Sequence, residues 1–483
     1  MERGARRRGG GAQLRGGDRL SAGATRRIAA FAHGIAFEDL PEAALERGRV
    51  HVLDCIGLAI AGARTEAARI ARDHVAALGL AGGTATLLGT AGRTAPRFAA
   101  LLNAAAMHAD NFDDTNPQAA AERNGGIHAT APVLAAALAV AEERAASGRE
   151  LAAALHAGIE IACRINHAID PRHYRGGFHA TATLSTFGAA AAAAKLCGLE
   201  RAAIGHALAF AASAAGGVRQ NFGSMVEILH PGLAAEAGIV AADLAARGLV
   251  GAEDALGGKV GYFAAAGGGF DPAILERMGA PWAILDPGMW IKPFPNGALT
   301  HPAMTGLLAL RREHGFDGGD ILSISARTNR RVLETLIHHD PKTVMEARFS
   351  MQFALALVAV EGRAGLAEFT AETLARPDIR RAMERVRFAA YDAPGADFTN
   401  MTTLLDVELA DGRRLERRCD WAQGSTHAPM SFADACEKFR HCTAFAGFPP
   451  QSAEAAIEAV GEFESLDDAG RIARICQTAG QRQ

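Results

Sequence analysis

Three stretches of this sequence gather side chains able to move protons or hold anions, each beside glycine or proline at what reads as a helix end. The first, His108-Ala-Asp-Asn-Phe-Asp-Asp-Thr115, closes an Ala-rich helix. It sets Asp113 and Asp114 side by side where the negative end of the helix dipole disfavours acids. An unfavourable local choice of this kind points to a site or to a compensating partner. The plain alternative is helix termination with solvated acids. Metal ligation by His108, Asp110, Asp113 and Asp114 ranks lowest, because no second His-rich cluster supplies further ligands. In the second stretch His128 opens IHATAPVLAAALAVAE, and His179 lies in RGGFHATAT before another helix. A histidine at a helix N-terminus tends to be neutral, ready to accept a proton or to sit beside a bound anion. A lone histidine is usually core or capping, but two at equivalent Gly-flanked entrances favour function. The third stretch, WIKPFPNGALTHPA, holds Lys292 beside Pro293 and Pro295, which stiffen the backbone, with His301 shortly after. An ordinary surface lysine competes with a site role there.

The elements that must position these residues are mainly helical at first. From Thr25 to about Leu275, Ala, Leu, Ile and Gly recur at helical spacing. In 41–62, Pro41 suits a first turn, Val50, Leu53, Ile56 and Ile60 form one stripe, and Gly57 and Gly62 would let a neighbouring helix come close. Further helices are expected over 95–109, 131–146, 149–168, 181–196 and 234–247. So much Ala implies tightly packed helices around a buried centre. Near Pro281 the pattern changes. Residues 321–328 alternate with a period of two, as do those around 385–391, and 404–409 and 413–417 flank the tight-turn pair Asp411-Gly412. Helix is expected over 341–361 and again from 431 to about 473. The organisation predicted is a tail (1–24), a helical domain (25–279), an α+β domain (280–417) and C-terminal helices (418–483) that rejoin the first domain. The fold class is mainly α.

Composition excludes several classes. With 50 Lys and Arg against 53 Asp and Glu, the formal charge is −3, which argues against nucleic acid as the main partner. The seven cysteines include no CxxC pair and read as buried free thiols; Cys442 beside His441 is no dyad, since adjacent helical residues diverge. No apolar run looks long and clean enough to span a bilayer, and the Arg- and Gly-rich start has no signal-peptide core, so a cytoplasmic enzyme is the expectation. No GxxxxGK[ST], GxGxxG or GxSxG motif is present, which weakens nucleotide-dependent and serine-hydrolase chemistry.

The sequence resembles the MmgE/PrpD family over about residues 25–448. The resemblance rests on HVLDCIGLAIAGA, HADNFDDT, GFHATATLSTFGAAAAAAKLCGLE, ALAFAASAAGG followed by GSMVEILHPGLAAEAG, KPFPNGALTHPA and PKTVMEARFSMQFALA, in that order. It implies a large all-helical domain built from both chain ends, a smaller α+β lid domain, a homodimer, and a pocket between the domains that uses neither metal nor cofactor. It places active-site positions on Asn111, Thr115, His128, His179, Glu227 and Lys292, with a further one near 337–339; Asp113, Asp114, Ser224 and His301 are added as substrate-binding candidates. Two positions depart from the pattern: Asn111 stands where decarboxylase-like members carry Asp, and Glu227 where they carry Lys. The first raises the local charge by one and the second lowers it by two. A polycarboxylate wants cations around it, so Glu227 points to an acid with fewer carboxylates, or to an amine facing that residue; the bland alternative is a turn away to pair with Arg219.

The family chemistry is removal of a proton from carbon beside a carboxylate. That needs a base, cations or N–H donors for the developing enediolate, and an acid for a leaving group. The expectation is a hydro-lyase on a small organic acid, with His128 and His179 in proton transfer and Lys292 on the carboxylate. An epimerase or decarboxylase on the same scaffold, or a member that binds without turnover, are the alternatives, and a metal-dependent hydrolase is a distant fourth.

Overall fold

The computed structural model describes residues 23–80, 82–117, 126–391 and 401–478. The expected N-terminal tail lies outside them except for its last two positions. The first helix already starts there, at Ala24.

Two apolar cores organise the chain. The larger draws on residues 24–291 and again on 430–476, so both ends of the chain meet in one body. Its centre is the helix Ala180–Leu196, buried from Ala180 through Ala194. Around it lie Thr130–Arg144, Gly148–Ala168, Arg201–Ala214 and Met225–Ala246, with Pro96–His108 packed in turn on Met225–Ala246 and Thr130–Arg144. Small residues set how close these helices come. A Cβ on Gly62 would fall 2.0 Å from the Ala106 carbonyl oxygen, and one on Gly57 would fall 2.9 Å from the Phe439 ring. Gly62 and Gly57 of the helix Glu42–Gly62 thus mark close approaches, the first to Pro96–His108 and the second to the C-terminal helix Phe432–Phe445.

The helix Met225–Ala246 begins nine residues earlier than its periodicity indicates. Its first two turns carry Glu227 and His230 and run through Pro231, which masks the pattern. By length and composition it is apolar enough to cross a bilayer, contrary to expectation. It packs along Ala180–Leu196 and Pro96–His108, with Ala234, Ala235, Gly238, Ala241 and Ala242 buried.

The second core holds residues 294–419. After a two-residue pair, β1 (Ala85–Thr86) with β2 (Arg93–Thr94), the remaining strands are β3 (Ile321–Thr328), β4 (Val386–Ala390), β5 (Thr403–Leu409) and β6 (Arg414–Cys419). They form one sheet in the order β4-β3-β5-β6, with β3 and β4 parallel and the other pairs antiparallel. The β5–β6 turn uses Asp411-Gly412, Gly412 at φ +86°. A parallel pair needs a crossover, and the helices between β3 and β4 supply it. The helix expected over 341–361 is broken: Val344–Ala347 ends at Arg348, and Ser350 caps a new helix, Met351–Glu361. The break matters, because Arg348 leaves it to reach the other core.

Candidate active site

The helix Pro96–His108 ends in a turn whose acids all face inward. Asn111, at φ +51°, takes a left-handed conformation that Asn tolerates better than most residues, and the chain reverses there. Both following carboxylates are then driven into the protein. Asp113 accepts from His108 Nδ1 at 2.8 Å, and its other oxygen lies 3.5 Å from His128 Nδ1. Asp114 binds His51 Nδ1 at 2.8 Å and receives the Thr130 hydroxyl. The compensating partners that two acids at a helix C-terminus require are therefore histidines: His108 at the end of the same helix, and His51 and His128 from elsewhere. Asp113 and Asp114, expected at the ligand, are fully buried and hold protein groups in place.

His128 precedes the helix Thr130–Arg144, and His179 is the N-cap residue of Ala180–Leu196. The His128 backbone N–H donates to Thr181 Oγ1 at 3.1 Å, tying the two helix entrances together. His128 Nδ1 donates to the Asp114 carbonyl at 2.5 Å, which fixes the tautomer and leaves Nε2 with a free lone pair. His108 packs edge-on to His128 with ring centroids 4.9 Å apart, and lies 6.4 Å from His179. The Nδ1 atoms of His179 and His230 are 2.9 Å apart, so one donates to the other. Phe222 covers the His179 ring at 4.8 Å.

Burial dominates the protonation of this cluster. It holds His128 down to about 4 and His179 down to about 2, the latter helped by repulsion from His108, His128 and His230. Helix N-termini were the expected cause of neutrality; desolvation is the first cause at both histidines. For His108 burial acts in the same direction, but Asp113 outweighs it and lifts His108 above the ordinary histidine value. Asp113 is correspondingly pulled well below the usual carboxylate range, its own burial overcome by His108 and His128. One imidazole kept neutral thus lies against one biased toward the cation.

Lys292 is held as the prolines imply. It is nearly buried and donates to the Asn111 carbonyl at 2.8 Å and to the Asn111 side-chain oxygen. Burial brings it down to about 8, with Lys438 and Arg348 pushing the same way and Asp113 and Glu227 opposing. Thr115 arrives beside it through paired backbone hydrogen bonds with Trp290, both 2.8 Å. His301 sits deeper: it meets Asn296 Oδ1 at 2.8 Å and packs on Phe294, and burial with repulsion from Lys292 brings it down to about 3.

Glu227 does not pair with Arg219. It accepts the Gly223 N–H at 2.5 Å, whereas Arg219 donates to the Tyr174 carbonyl and lies 3.8 Å over the Tyr174 ring. Its charge is felt at both His108 and Lys292. Ser224, expected at the ligand, is exposed and caps the helix Met225–Ala246 through Val226 N–H. In the lid, Ile337 and His339 are exposed, and His339 accepts from Gln352 Nε2 at 3.0 Å; neither meets the histidine cluster in the hydrogen bonds described.

Residues outside the expected set complete the arrangement. His108 entered only as a possible metal ligand, although its spacing to Asp113 was visible. His230 follows Glu227 by three residues on one helix face, a signal that was readable. Arg348 crosses from the second core to Asp110, 3.1 Å to its carboxylate and 3.3 Å to its carbonyl, and nothing in the sequence marks that contact. The ligand atoms of His108, Asp113 and His128 lie within 4.8 Å of one another, close enough to hold a metal ion. Such binding would have to break the 2.8 Å His108–Asp113 bond.

Residues 26–275 match the MmgE/PrpD N-terminal domain and residues 294–464 the MmgE/PrpD C-terminal domain. The chain belongs to the MmgE/PrpD family. Cis-aconitate decarboxylase from Homo sapiens is 29% identical over 456 residues, covering 92% of this chain and 92% of that protein. The Mus musculus protein of the same name is 27% identical over 461 residues, 93% of each chain. Cis-aconitate decarboxylase from Aspergillus terreus (strain NIH 2624 / FGSC A1156) is 25% identical over 388 residues, 74% of this chain and 76% of that one. The family match spans both apolar cores, so the histidine cluster from one and the Arg348 contact from the other fall within it.

Proposed function

We propose that the protein is a lyase that removes a proton from carbon beside a carboxylate of a small organic acid and expels hydroxide, with no metal or cofactor. The observation that carries this is the neutral His128 in contact with a His108 that Asp113 biases toward the cation. Elimination needs a base and an acid close together, and these two imidazoles provide them. His128 Nε2 takes the proton, because Nδ1 is committed to the Asp114 carbonyl. His108 Nε2 is the donor to the departing oxygen, its charge maintained by Asp113. Lys292 keeps one ammonium N–H for the substrate carboxylate and steadies the enediolate charge as it develops. His179 extends the proton path toward His230.

Glu227 places a negative charge near this carboxylate position, which favours an acid with fewer carboxylates than a tricarboxylate, or one carrying an amine. Decarboxylation is the second reading, favoured by the named activity of the relatives; it uses the same lysine and a histidine as proton donor to the carbanion.

Incubating candidate small acids in deuterated water separates these. Deuterium uptake with an unsaturated product and loss of water supports the hydro-lyase. Release of carbon dioxide replaces it with the decarboxylase, exchange alone with an epimerase, and neither exchange nor turnover across the panel sinks the catalytic assignment. A homodimer belongs to the same proposal and is checked by light scattering.

A further inference from the structure

Beneath Lys292 lies a second buried lysine on the C-terminal helix Phe432–Phe445, a residue with no role in the chemistry above. Lys438 is 7% exposed and its ammonium touches three separate pieces of chain. It lies 2.7 Å from Asp54 Oδ1 on the helix Glu42–Gly62. It donates to the Phe112 carbonyl at 2.8 Å and to the Lys292 carbonyl at 2.9 Å, and the Phe112 ring faces it at 3.7 Å. The two carbonyls belong to the two segments that meet again when the Lys292 side chain reaches Asn111. A buried ammonium held by two carbonyls and paired with a buried carboxylate is a rigid joint, because losing any partner strands a polar group.

We propose that Lys438 is a positioning residue of the site: its ammonium ties the Lys292 backbone to the turn at Phe112 and to Asp54, so the C-terminal helix holds the Lys292–Asn111 pair in register. The same contact has an electrostatic consequence. Lys292 is faced by Asp113 and Glu227, which favour its charge, by Lys438 and Arg348, which oppose it, and by His108, His128 and His301. Lys438 is the larger of the two opposing cations. It therefore helps keep Lys292 near 8 and partly uncharged under mildly alkaline conditions. Asp54 tolerates the loss of its partner better than most carboxylates, since burial already lifts it to about 6 and it can take up a proton.

The inference rests on Lys292 belonging to the proposed site, but its test reads Lys292 itself and uses no substrate, so the two can fail separately. Brief acetic anhydride labelling of the folded protein across pH, with mass spectrometry of the Lys292 peptide, gives the proton affinity of that amine. In K438M and in K438M/D54N, whose folding is checked by circular dichroism, the labelling curve is expected to move to higher pH. A shift of one unit lowers the reactive fraction at pH 8 from about a half to about a tenth. The double variant removes both charges and covers the case in which K438M alone folds poorly. A curve unchanged in either folded variant, or one moved to lower pH, overturns the proposal.

Discussion

Replacing Asp113 by Asn keeps the side chain's size while removing the charge around which the histidines are arranged. Asp113 is fully buried, 2.8 Å from His108 Nδ1 and 3.5 Å from His128 Nδ1. Its own carboxyl is depressed, so its contribution is present above the ordinary carboxylate value of about 3.9 and fades as pH falls through the depressed one. His108 is raised, so its contribution is complete below the ordinary histidine value of about 6.5 and is lost as pH rises through the raised one. Both are fully present between about pH 4 and 6.5. In that window D113N takes the anion from a buried imidazolium, which must then stay unpaired or give up its proton, at a cost of up to about 3–5 kcal/mol. Above the raised His108 value the imidazole is neutral in either protein and only a hydrogen bond changes, worth about 1–3 kcal/mol. Urea unfolding of the helical core at about pH 5.5 and about pH 9 measures both values. A destabilisation equal at the two pH values would refute the charged His108–Asp113 pair. Activity should follow: without the anion, burial and the nearby Lys292 drive His108 neutral, and turnover near pH 7 falls by about 10²–10⁴.

Four other outcomes are expected. H128Q removes the proposed base while keeping a donor for the Asp114 carbonyl, so kcat falls by about 10²–10⁴ with little change in melting temperature; a variant retaining half the activity would remove His128 from its role. The pH–rate profile should rise through the His128 value of about 4 and fall as His108 and Lys292 lose their protons, and K292M should remove the Lys292 part of the alkaline limb, near 8, along with most carboxylate affinity. E227K replaces repulsion with attraction, and inhibition by tricarboxylates should tighten by about tenfold, read as a Ki; unchanged inhibition would mean that Glu227 does not face the ligand. Exhaustive chelation should leave activity unaltered, whereas loss restored by a divalent ion would point to His108, Asp113 and His128 as ligands.

Much of this molecule is legible along the chain. Helical periodicity, the Asp411-Gly412 hairpin and the close contacts at Gly57 and Gly62 are local properties, written in residue size and backbone preference. The pairing of acids after His108 announced a compensating partner, and the Gly-flanked His128 and His179 announced chemistry. The partners themselves were not legible. Only His108, five residues before Asp113, was within reach of the sequence; His51 and Thr130 come to Asp114 from other elements, and Lys438 and Arg348 reach the same turn across hundreds of residues. Proton affinities were hidden for the same reason: burial sets them first and neighbouring charges second, and both exist only once the helices are packed. The residue types and their spacing pointed to proton transfer, and the family resemblance they carry pointed to a carboxylate beside it. Which imidazole stays neutral, which is pushed toward the cation, and which acids are spent on holding them was decided by tertiary structure, because desolvation and charge proximity are properties of an assembled interior.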